Sequence, residues 1–407
     1  MVKGIRMLSK INDILEKVDS SRIADLALKL VQIPSHSGEE AEATAFFAQY
    51  LHSIGLDVEV DRTYPESPSI IAYVRGSVGG PTLQLDGHID TVSADHSPAE
   101  IKGGRLYGRG AADMKGNLAA MAEAAQLLME AELPLTGNLM ISVHGQHEDA
   151  VGDLPMHAPL FALFDKGIYG DAAIVCEGPH DGMVIAAKGL SFWEIDIRRE
   201  GDAVHEVISG GAANPLQAAY RVMEALEANA AQWAQNPDPD VGPQSYFVGQ
   251  IIGGDYYNRV PTHVHMKGTR RTVPGVDFET MQGEFQDLVN RISDEMELKI
   301  DLKLLRSGQS YKLSPDEPVV RAVRHSYEQV NHKPMPLIGL RYTGNASQFN
   351  NIAGIPTVYY GADQHRAHAN PEWIEMDNLV KAAKIYLLSA LKYFEISASE
   401  LEREVDV

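Results

Sequence analysis

Cysteine is almost absent from this chain of 407 residues, since Cys176 is the only one. An intrachain disulfide is therefore excluded, as is typical of proteins from a reducing compartment. Long hydrophobic runs are also lacking, because no stretch approaches the roughly 18 apolar residues that a membrane-spanning helix needs. Residues 1–18 are charged and amphipathic and lack the apolar core of a secretory signal. We therefore expect a cytoplasmic protein that has no membrane partner.

Positive charge is scarce as well. The chain has 35 Lys and Arg residues against 56 Asp and Glu residues, which gives a formal net charge of −21. This balance argues against nucleic acid and anionic membrane surfaces as partners. The apolar fraction of 44% is ordinary for a globular protein, and the length is sufficient for two domains.

The order of apolar patterns predicts the fold. Residues 20–187 alternate between helical periodicity and short apolar runs, and the runs "NLMISV" and "AAIV" are nearly continuous. Continuous apolar strands are typical of a sheet that is covered on both faces. We therefore expect a largely parallel α/β sheet with helices around it.

A second domain is predicted inside the first. From residue 189 the patterns follow the order β-α-β-β-α-β, which is the ferredoxin-like signature. After residue 306 the chain returns to α/β character. We expect a catalytic domain formed by residues 1–188 and 307–407, and an inserted α+β domain formed by residues 189–306.

Histidines and carboxylates follow several of the predicted strands. In an open α/β sheet, ligands bind at the carboxyl ends of the strands, so these side chains are expected to converge. A mixed His and carboxylate set suits zinc, with cobalt or manganese as alternatives. The residues concerned are His88, Asp90, Asp113, His147, Glu148, Asp149, Glu177, His365 and His368.

Six motifs resemble one known family. "DGHIDTV", "GRGAADMKG", "CEGP", "NRVP", "GTRRTVPG" and "AHANPE" are similar to the M20 family of dizinc peptidases and amidohydrolases, in order from about residue 20 to 391. The family includes acetylornithine deacetylases and succinyl-diaminopimelate desuccinylases. The resemblance implies a zinc-dependent exopeptidase-like α/β domain with an inserted ferredoxin-like lid, and a homodimer that forms through the lid.

The resemblance also implies a ligand set for two zinc ions. His88 and Glu177 correspond to ligands of the first ion, and His368 corresponds to a ligand of the second. Asp113 corresponds to the carboxylate that bridges both ions, and Asp90 to the residue that orients His88. His365 has no counterpart among the family's functional residues.

The segment "GQHED" departs from the family pattern of two adjacent glutamates, a general base followed by a zinc ligand. The family spacing favours Glu148 as the ligand, which puts His147 at the position of the base. The alternative register makes Glu148 the base and Asp149 the ligand. A third possibility is a single zinc ion with Glu148 as the base. Histidine is a competent base near neutral pH, so all three remain open.

The inserted domain is expected to contribute substrate contacts. His205 corresponds to the lid histidine that stabilises the oxyanion, and Asn258 and Arg271 to residues that hold a substrate carboxylate. The neighbouring Arg270 should point the other way and be solvated.

A further loop, "RYTGNASQFN", resembles the family's Gly-rich substrate loop. Gly344 and Asn345 would present hydrogen-bond donors to the substrate, and Arg341 lies nearby in the sequence.

The main functional hypothesis is a metal-dependent hydrolase that cleaves the amide bond of an N-acyl amino acid or a similar small amide. One alternative is a di-, amino- or carboxypeptidase of the same fold. The other is a homologue that binds a small ligand without hydrolysing it.

Overall fold

The computed structural model describes residues 10–131 and 133–405, with side chains up to residue 397. The chain divides into two compact units. Unit 1 comprises residues 1–185, 313–338 and 352–407, and unit 2 comprises residues 186–312 and 339–351. The segment 339–351, which includes the predicted substrate loop, therefore clusters with unit 2.

Helices and strands follow the predicted order along the chain. The helices are α1 Ser20–Gln32, α2 Ala41–Ser53, α3 Gly116–Glu130, α4 Ala158–Asp165, α5 Pro215–Trp233, α6 Phe278–Met296, α7 Pro318–Asn331, α8 Asn345–Gln348 and α9 Met376–Val405. The strands are β1 Asp57–Asp61, β2 Ser69–Val74, β3 Thr82–His88, β4 Glu100–Lys102, β5 Arg105–Tyr107, β6 Asn138–His144, β7 Ala172–Val175, β8 Met183–Ala187, β9 Leu190–Arg198, β10 Val204–His205, β11 Ser245–Gly253, β12 Arg259–Val260, β13 His263–Arg271, β14 Lys299–Gly308, β15 Tyr311–Lys312, β16 Leu337–Leu340, β17 Thr357–Tyr359 and β18 Trp373–Glu375.

The large sheet of unit 1 is mixed. Its strand order is β1-β2-β6-β3-β7-β17-β8. The middle four strands, β6, β3, β7 and β17, are parallel to one another, as predicted. The prediction of a largely parallel sheet is wrong at the edges, where β1, β2 and β8 pair antiparallel with their neighbours. The connections from β1 to β2 (residues 62–68) and from β7 to β8 (residues 176–182) are too short for the crossover that a parallel connection requires.

Helices cover the parallel strands of unit 1. Helices α3, α7 and α9 pack together with α1 on a core that the strands also line. Strands β3, β6 and β7 are buried on nearly every residue, as their continuous apolar sequences predict. Among the described residues, no helix is both long and apolar enough to cross a bilayer.

Unit 2 has the predicted ferredoxin-like topology. The strand order is β11-β13-β9-β14, and every neighbouring pair is antiparallel. Helices α5 and α6 pack on one face of this sheet, where Trp193, Ile195 and Ile197 of β9 are buried. The alternate residues of β9 face the opposite side and are more exposed.

Candidate metal centre

Three parallel strands bring the candidate ligands of unit 1 to one edge of the sheet. Strand β3 lies between β6 and β7 in parallel register. His88 is the last residue of β3, Glu148 follows the end of β6, and Glu177 follows the end of β7. The carboxyl ends of parallel strands meet at one edge, which is where α/β proteins bind their ligands.

The first group of ligands surrounds His88, which is fully buried. Its Nε2 lies 3.1 Å from Asp113 Oδ1 and 3.3 Å from Glu177 Oε2. Its Nδ1 lies 3.1 Å from the backbone oxygen of Asp90 and 3.5 Å from the carboxylate of the same residue. A partner on Nδ1 directs Nε2 toward a metal, as in many histidine ligands.

The second group surrounds His368. Its Nε2 lies 3.2 Å from both carboxylate oxygens of Glu148 and 3.4 Å from Asp113 Oδ2. Hydrogen bonds to Asp113 and Glu148 raise the pKa of His368 to about 10. Asp113 therefore directs one oxygen to His88 and the other to His368, which is the arrangement of a bridging carboxylate. His88, Asp113 and Glu148 have ligand atoms within 4.8 Å of one another.

The donor set is chemically suited to divalent cations. Three carboxylates and two imidazoles converge, and the buried Oε2 of Glu177 and Oδ1 of Asp90 accept no hydrogen bond from the described residues. Buried charges of one sign are unfavourable unless a counter-charge is present. Two borderline divalent ions such as zinc would supply that charge, and cobalt or manganese would accept the same nitrogen and oxygen ligands.

His147 lies against the first group. Its ring stacks on that of His88, with centroids 4.1 Å apart and an interplanar angle of 4°. It can also share a ligand group with His88 and Glu177. The His147 ring also makes an edge-to-face contact with the ring of the buried His157, with centroids 5.1 Å apart. Burial lowers the pKa of His157 well below its usual value.

Asp149 lies apart from both groups. It is exposed, and its backbone N–H donates to Ser37 Oγ at 3.1 Å. Within the described parts of the chain it belongs to none of the metal-ligand groups, whereas Glu148 does. The geometry thus brings Glu148, and not Asp149, to His368.

Asp90 fixes the turn that carries His147 and Glu148. Its Oδ2 accepts hydrogen bonds from the backbone N–H groups of His147 and Glu148, both at 2.9 Å, and from Ser37 Oγ at 2.6 Å. Burial raises the pKa of Asp90, but the hydrogen bond and charge of His88, with a smaller contribution from the Glu148 N–H, hold that pKa below its usual value. One buried carboxylate therefore positions both His88 and the turn.

Glu40 holds the same turn from the other side. It is fully buried and accepts hydrogen bonds from the Gln146 N–H at 2.9 Å and from Ser67 Oγ at 2.7 Å. A Cβ at position 145 would come within 2.4 Å of the Glu40 carboxylate, so Gly145 is required for the close approach. Glu40 was not predicted from the sequence, because the "GEE" segment reads only as the start of a helix. That helix begins at Ala41, and Glu40 immediately precedes it.

Glu372 holds the backbone before Asp113. It accepts hydrogen bonds from the N–H groups of Ala112 at 2.9 Å and Asp113 at 3.2 Å, and it forms a buried ion pair with Arg109 at 2.5 Å. The peptide bond between Asp113 and Met114 is cis. Glu372 was not predicted either, although it lies four residues after His368 in the motif "AHANPE".

His365 is not part of this centre. It is exposed and contacts Asp363, with which it shares a ligand group that also contains His180.

In unit 2, two of the predicted substrate residues contact each other. Asn258 Nδ2 lies 3.0 Å from His205 Nε2, since each residue belongs to or adjoins the short antiparallel pair of β10 and β12. His205 is 47% exposed at its side chain, so its ring is accessible.

Cations cluster elsewhere in unit 2. Arg271 is half-buried, and its Nη1 is buried without a hydrogen-bond partner among the described residues. Arg341 and Arg271 lie close enough to Lys188 that, after burial, their charges lower its pKa further. Such a group favours an anionic ligand.

The prediction that Arg270 is solvated is wrong. Its side chain is 0% exposed and lies 4.0 Å above the ring of Trp233 and 4.7 Å from that of Tyr246. It also donates to Gln244 Oε1 at 2.6 Å. Arg270 does point away from Arg271, as strand alternation requires, but the face it points to is the one that α5 covers.

The predicted substrate loop contains α8. Gly344 precedes this short helix in an extended conformation, with a φ of −174°, and Asn345 begins it and is fully buried. Arg341 is exposed.

Comparisons with known proteins agree over nearly the whole chain. The model of peptidase family M20/M25/M40 matches residues 84–392. An N-formyl-4-amino-5-aminomethyl-2-methylpyrimidine deformylase of Bacillus subtilis is 25% identical, with 94% of this chain and 97% of the relative covered. A probable succinyl-diaminopimelate desuccinylase of Staphylococcus aureus is also 25% identical, with 91% and 97% covered.

Solved structures share the fold. The aminopeptidase PepT of Bacillus cereus superposes with a TM-score of 0.78 at 21% identity, with 93% of this chain and 99% of that chain covered. A dinuclear metal-binding peptidase of Bacillus subtilis superposes with a TM-score of 0.70 at 15% identity, with 92% and 98% covered.

Proposed function

Since the chain belongs to peptidase family M20/M25/M40, we propose that it is a deacylase that uses two metal ions to cleave small N-acyl amino acids or similar amides. It is a metal-dependent amide hydrolase of that family. The observation that carries the two-ion proposal is the position of Asp113, whose two carboxylate oxygens face His88 and His368 separately.

Each ion would have its own ligands beside the shared Asp113. His88 and Glu177 would hold the first ion, and His368 and Glu148 would hold the second, with zinc as the proposed metal. Divalent cations at such a site supply Lewis-acid chemistry, which acidifies water and polarises an amide carbonyl.

His147 is the proposed general base. Glu148 directs both oxygens at His368, which supports a role as a ligand, whereas the His147 ring lies beside His88 and Glu177. A ring nitrogen of His147 would take the proton of the attacking water and return it to the leaving amine. The backbone hydrogen bond to Asp90 and the stacking on His88 would help to keep this ring in place during both transfers.

Unit 2 is proposed to bind the substrate. The unpartnered nitrogen of Arg271, with Arg341 and Lys188 nearby, supports a role in binding the substrate carboxylate. Asn258 supports His205 through their hydrogen bond, and His205 would donate to the oxyanion. Gly344 and Asn345 are proposed to belong to the substrate-binding loop, which clusters with unit 2.

Two relatives that match along nearly the whole sequence favour a deacylase over a peptidase. The deformylase and the desuccinylase both remove an acyl group from an amine, and each match covers more than nine-tenths of both chains. The peptidase structures are less than 25% identical and support the fold only. We propose a cytoplasmic location on the basis of the single cysteine, which is typical of a reducing compartment.

We further propose that the enzyme is a homodimer that forms through unit 2. Strand β11 is at the edge of its sheet, and it exposes large apolar side chains at Phe247 (65%) and Ile252 (57%). Exposed apolar side chains on an edge strand favour association with another chain. Sedimentation of the wild-type protein and of Ile252→Asp would test this, with a dimer expected for the first and a monomer for the second.

Kinetics with a substrate panel test the main proposal. The zinc-loaded protein is assayed with N-formyl, N-acetyl and N-succinyl amino acids and, in parallel, with dipeptides. We expect kcat/KM to be highest for one of the N-acyl amino acids, and activity to disappear with a chelator and return with zinc. Faster cleavage of dipeptides would refute the deacylase assignment, and activity that survives the chelator would refute the metal centre.

A further inference from the structure

The open face of the unit 2 sheet carries a second cluster of metal-ligand side chains. Residues Glu194, Asp196 and Arg198 of β9 alternate with buried apolar residues and share the face that the helices leave uncovered. On the neighbouring strand β13, His263 and His265 are two residues apart and lie on the same face. The register pairs His265 directly with Asp196 and pairs His263 with Arg198.

Both imidazoles converge on one carboxylate oxygen. His263 Nε2 lies 2.6 Å from Asp196 Oδ1, and His265 Nδ1 lies 3.2 Å from the same atom. All three ligand atoms lie within 4.8 Å of one another. Ligands bound to one zinc ion at 2.0–2.1 Å in tetrahedral geometry are about 3.3 Å apart, so small rotations of these side chains would suffice to bind an ion.

The local charge balance permits a cation. Arg198 approaches Asp196 Oδ1 at 3.2 Å through Nη2, but its Nη1 is held by Asp301 at 2.9 Å. Lys299 also faces Asp301, at 3.5 Å, and Lys267 pairs with Glu194. The cations of this face therefore have other carboxylates, and displacement of one Arg198 nitrogen would leave Arg198 paired with Asp301.

The cluster is open to solvent. The side chains of Asp196, His265 and His263 are 27%, 20% and 48% exposed. An ion could therefore enter without any movement of the backbone, and water could occupy its remaining coordination positions. The cluster shares no residue with the ligands proposed in unit 1.

We propose that Asp196, His263 and His265 form a further metal site, which binds a borderline divalent cation such as zinc or nickel through two imidazoles and one carboxylate. Imidazole nitrogen is a preferred ligand of these ions, and the carboxylate oxygen would complete a set of three protein ligands. The bound ion would connect β9 with β13 and so stabilise the sheet of unit 2 in addition to its hydrogen bonds.

Measurement of the zinc content of the full-length protein tests this proposal. Wild type, the double variant His263→Ala/His265→Ala, Asp196→Asn and the control Lys267→Ala are dialysed to equilibrium against buffered zinc. Zinc per chain is then measured by atomic emission. We expect the double variant and Asp196→Asn to hold one zinc ion fewer than wild type and Lys267→Ala.

Amide hydrolysis and thermal unfolding of the same samples complete the experiment. Hydrolysis by the double variant should equal that of wild type, because the lost ion is not part of the unit 1 centre. Added zinc should raise the Tm of wild type more than that of the double variant. Equal zinc content in all four proteins would overturn the proposal. If the double variant does not fold, Asp196→Asn decides the question, because its amide preserves the shape of the side chain.

Discussion

In unit 1, His88, Glu148 and Glu177 lie at or just after the ends of buried strands, and further buried carboxylates fix the nearby backbone. In unit 2, His205 and Asn258 lie on or beside a two-residue strand pair, where the His205 ring contacts Asn258 and the exposed Glu206. The contrast suggests a division of labour. A centre that holds metal ions requires ligands at fixed distances, whereas residues that bind different substrates can be held less rigidly.

The largest effect is expected for Glu148, because every proposed arrangement of the centre uses it either as a metal ligand or as the general base. Glu148→Gln removes one charged ligand of His368's group and should lower kcat/KM by about 10⁴-fold or more. Zinc per chain should fall as well. The matched control is Asp149→Asn, an adjacent carboxylate that lies outside the group and should retain nearly full activity. A fully active Glu148→Gln would refute the centre in unit 1 and with it the contrast between the units.

The sequence could predict elements and strand ends, because both follow from local periodicity. It also placed His88, Glu177 and His368 at one edge, since parallel strands end together. The roles of Glu40 and Glu372 could not be predicted, because each binds backbone N–H groups far away in the sequence. The prediction of a solvated Arg270 was wrong because strand alternation gives only the side of the sheet on which a residue lies. The packing of α5, with its Trp233, decides whether that side is buried.

His147 and Asp149 provide a second test of the centre in unit 1, because only one of them should affect activity. As the proposed base, His147→Ala should lower kcat by about 10² to 10⁴-fold, while both ions remain bound. Asp149→Ala should change kcat little. The opposite ranking of these two variants, with loss of zinc in Asp149→Ala, would establish the register in which Asp149 is the ligand and Glu148 the base.

Glu40 tests whether buried carboxylates position the centre of unit 1. Glu40→Gln keeps the side chain's size but replaces one acceptor oxygen, so the hydrogen bond to Gln146 or to Ser67 is weakened or lost. We expect a loss of about 10- to 100-fold in zinc affinity or kcat, as is usual for residues that orient ligands. The control is Glu39→Gln, the exposed neighbour in the same turn. A lower Tm with unchanged zinc affinity would show that Glu40 acts only on stability.

The adjacent arginines of β13 provide the smallest and most specific test of unit 2. Arg271→Met should raise KM by about 10- to 100-fold and leave the Tm nearly unchanged, because a charged hydrogen bond to a carboxylate contributes about 1.5–3 kcal/mol. Arg270→Met should instead lower the Tm. It removes a buried cation from the rings of Trp233 and Tyr246, which costs about 2 kcal/mol of unfolding free energy, but it should leave KM unchanged.

Michaelis kinetics and thermal unfolding of both variants separate these outcomes. Strand alternation predicts opposite roles for two consecutive side chains, one that binds substrate and one that packs the unit 2 core. If both variants raised KM equally, the effect would have to come from a general change in the strand. Arg271 would then have no specific contact with the substrate, and the unpartnered nitrogen would require another ligand.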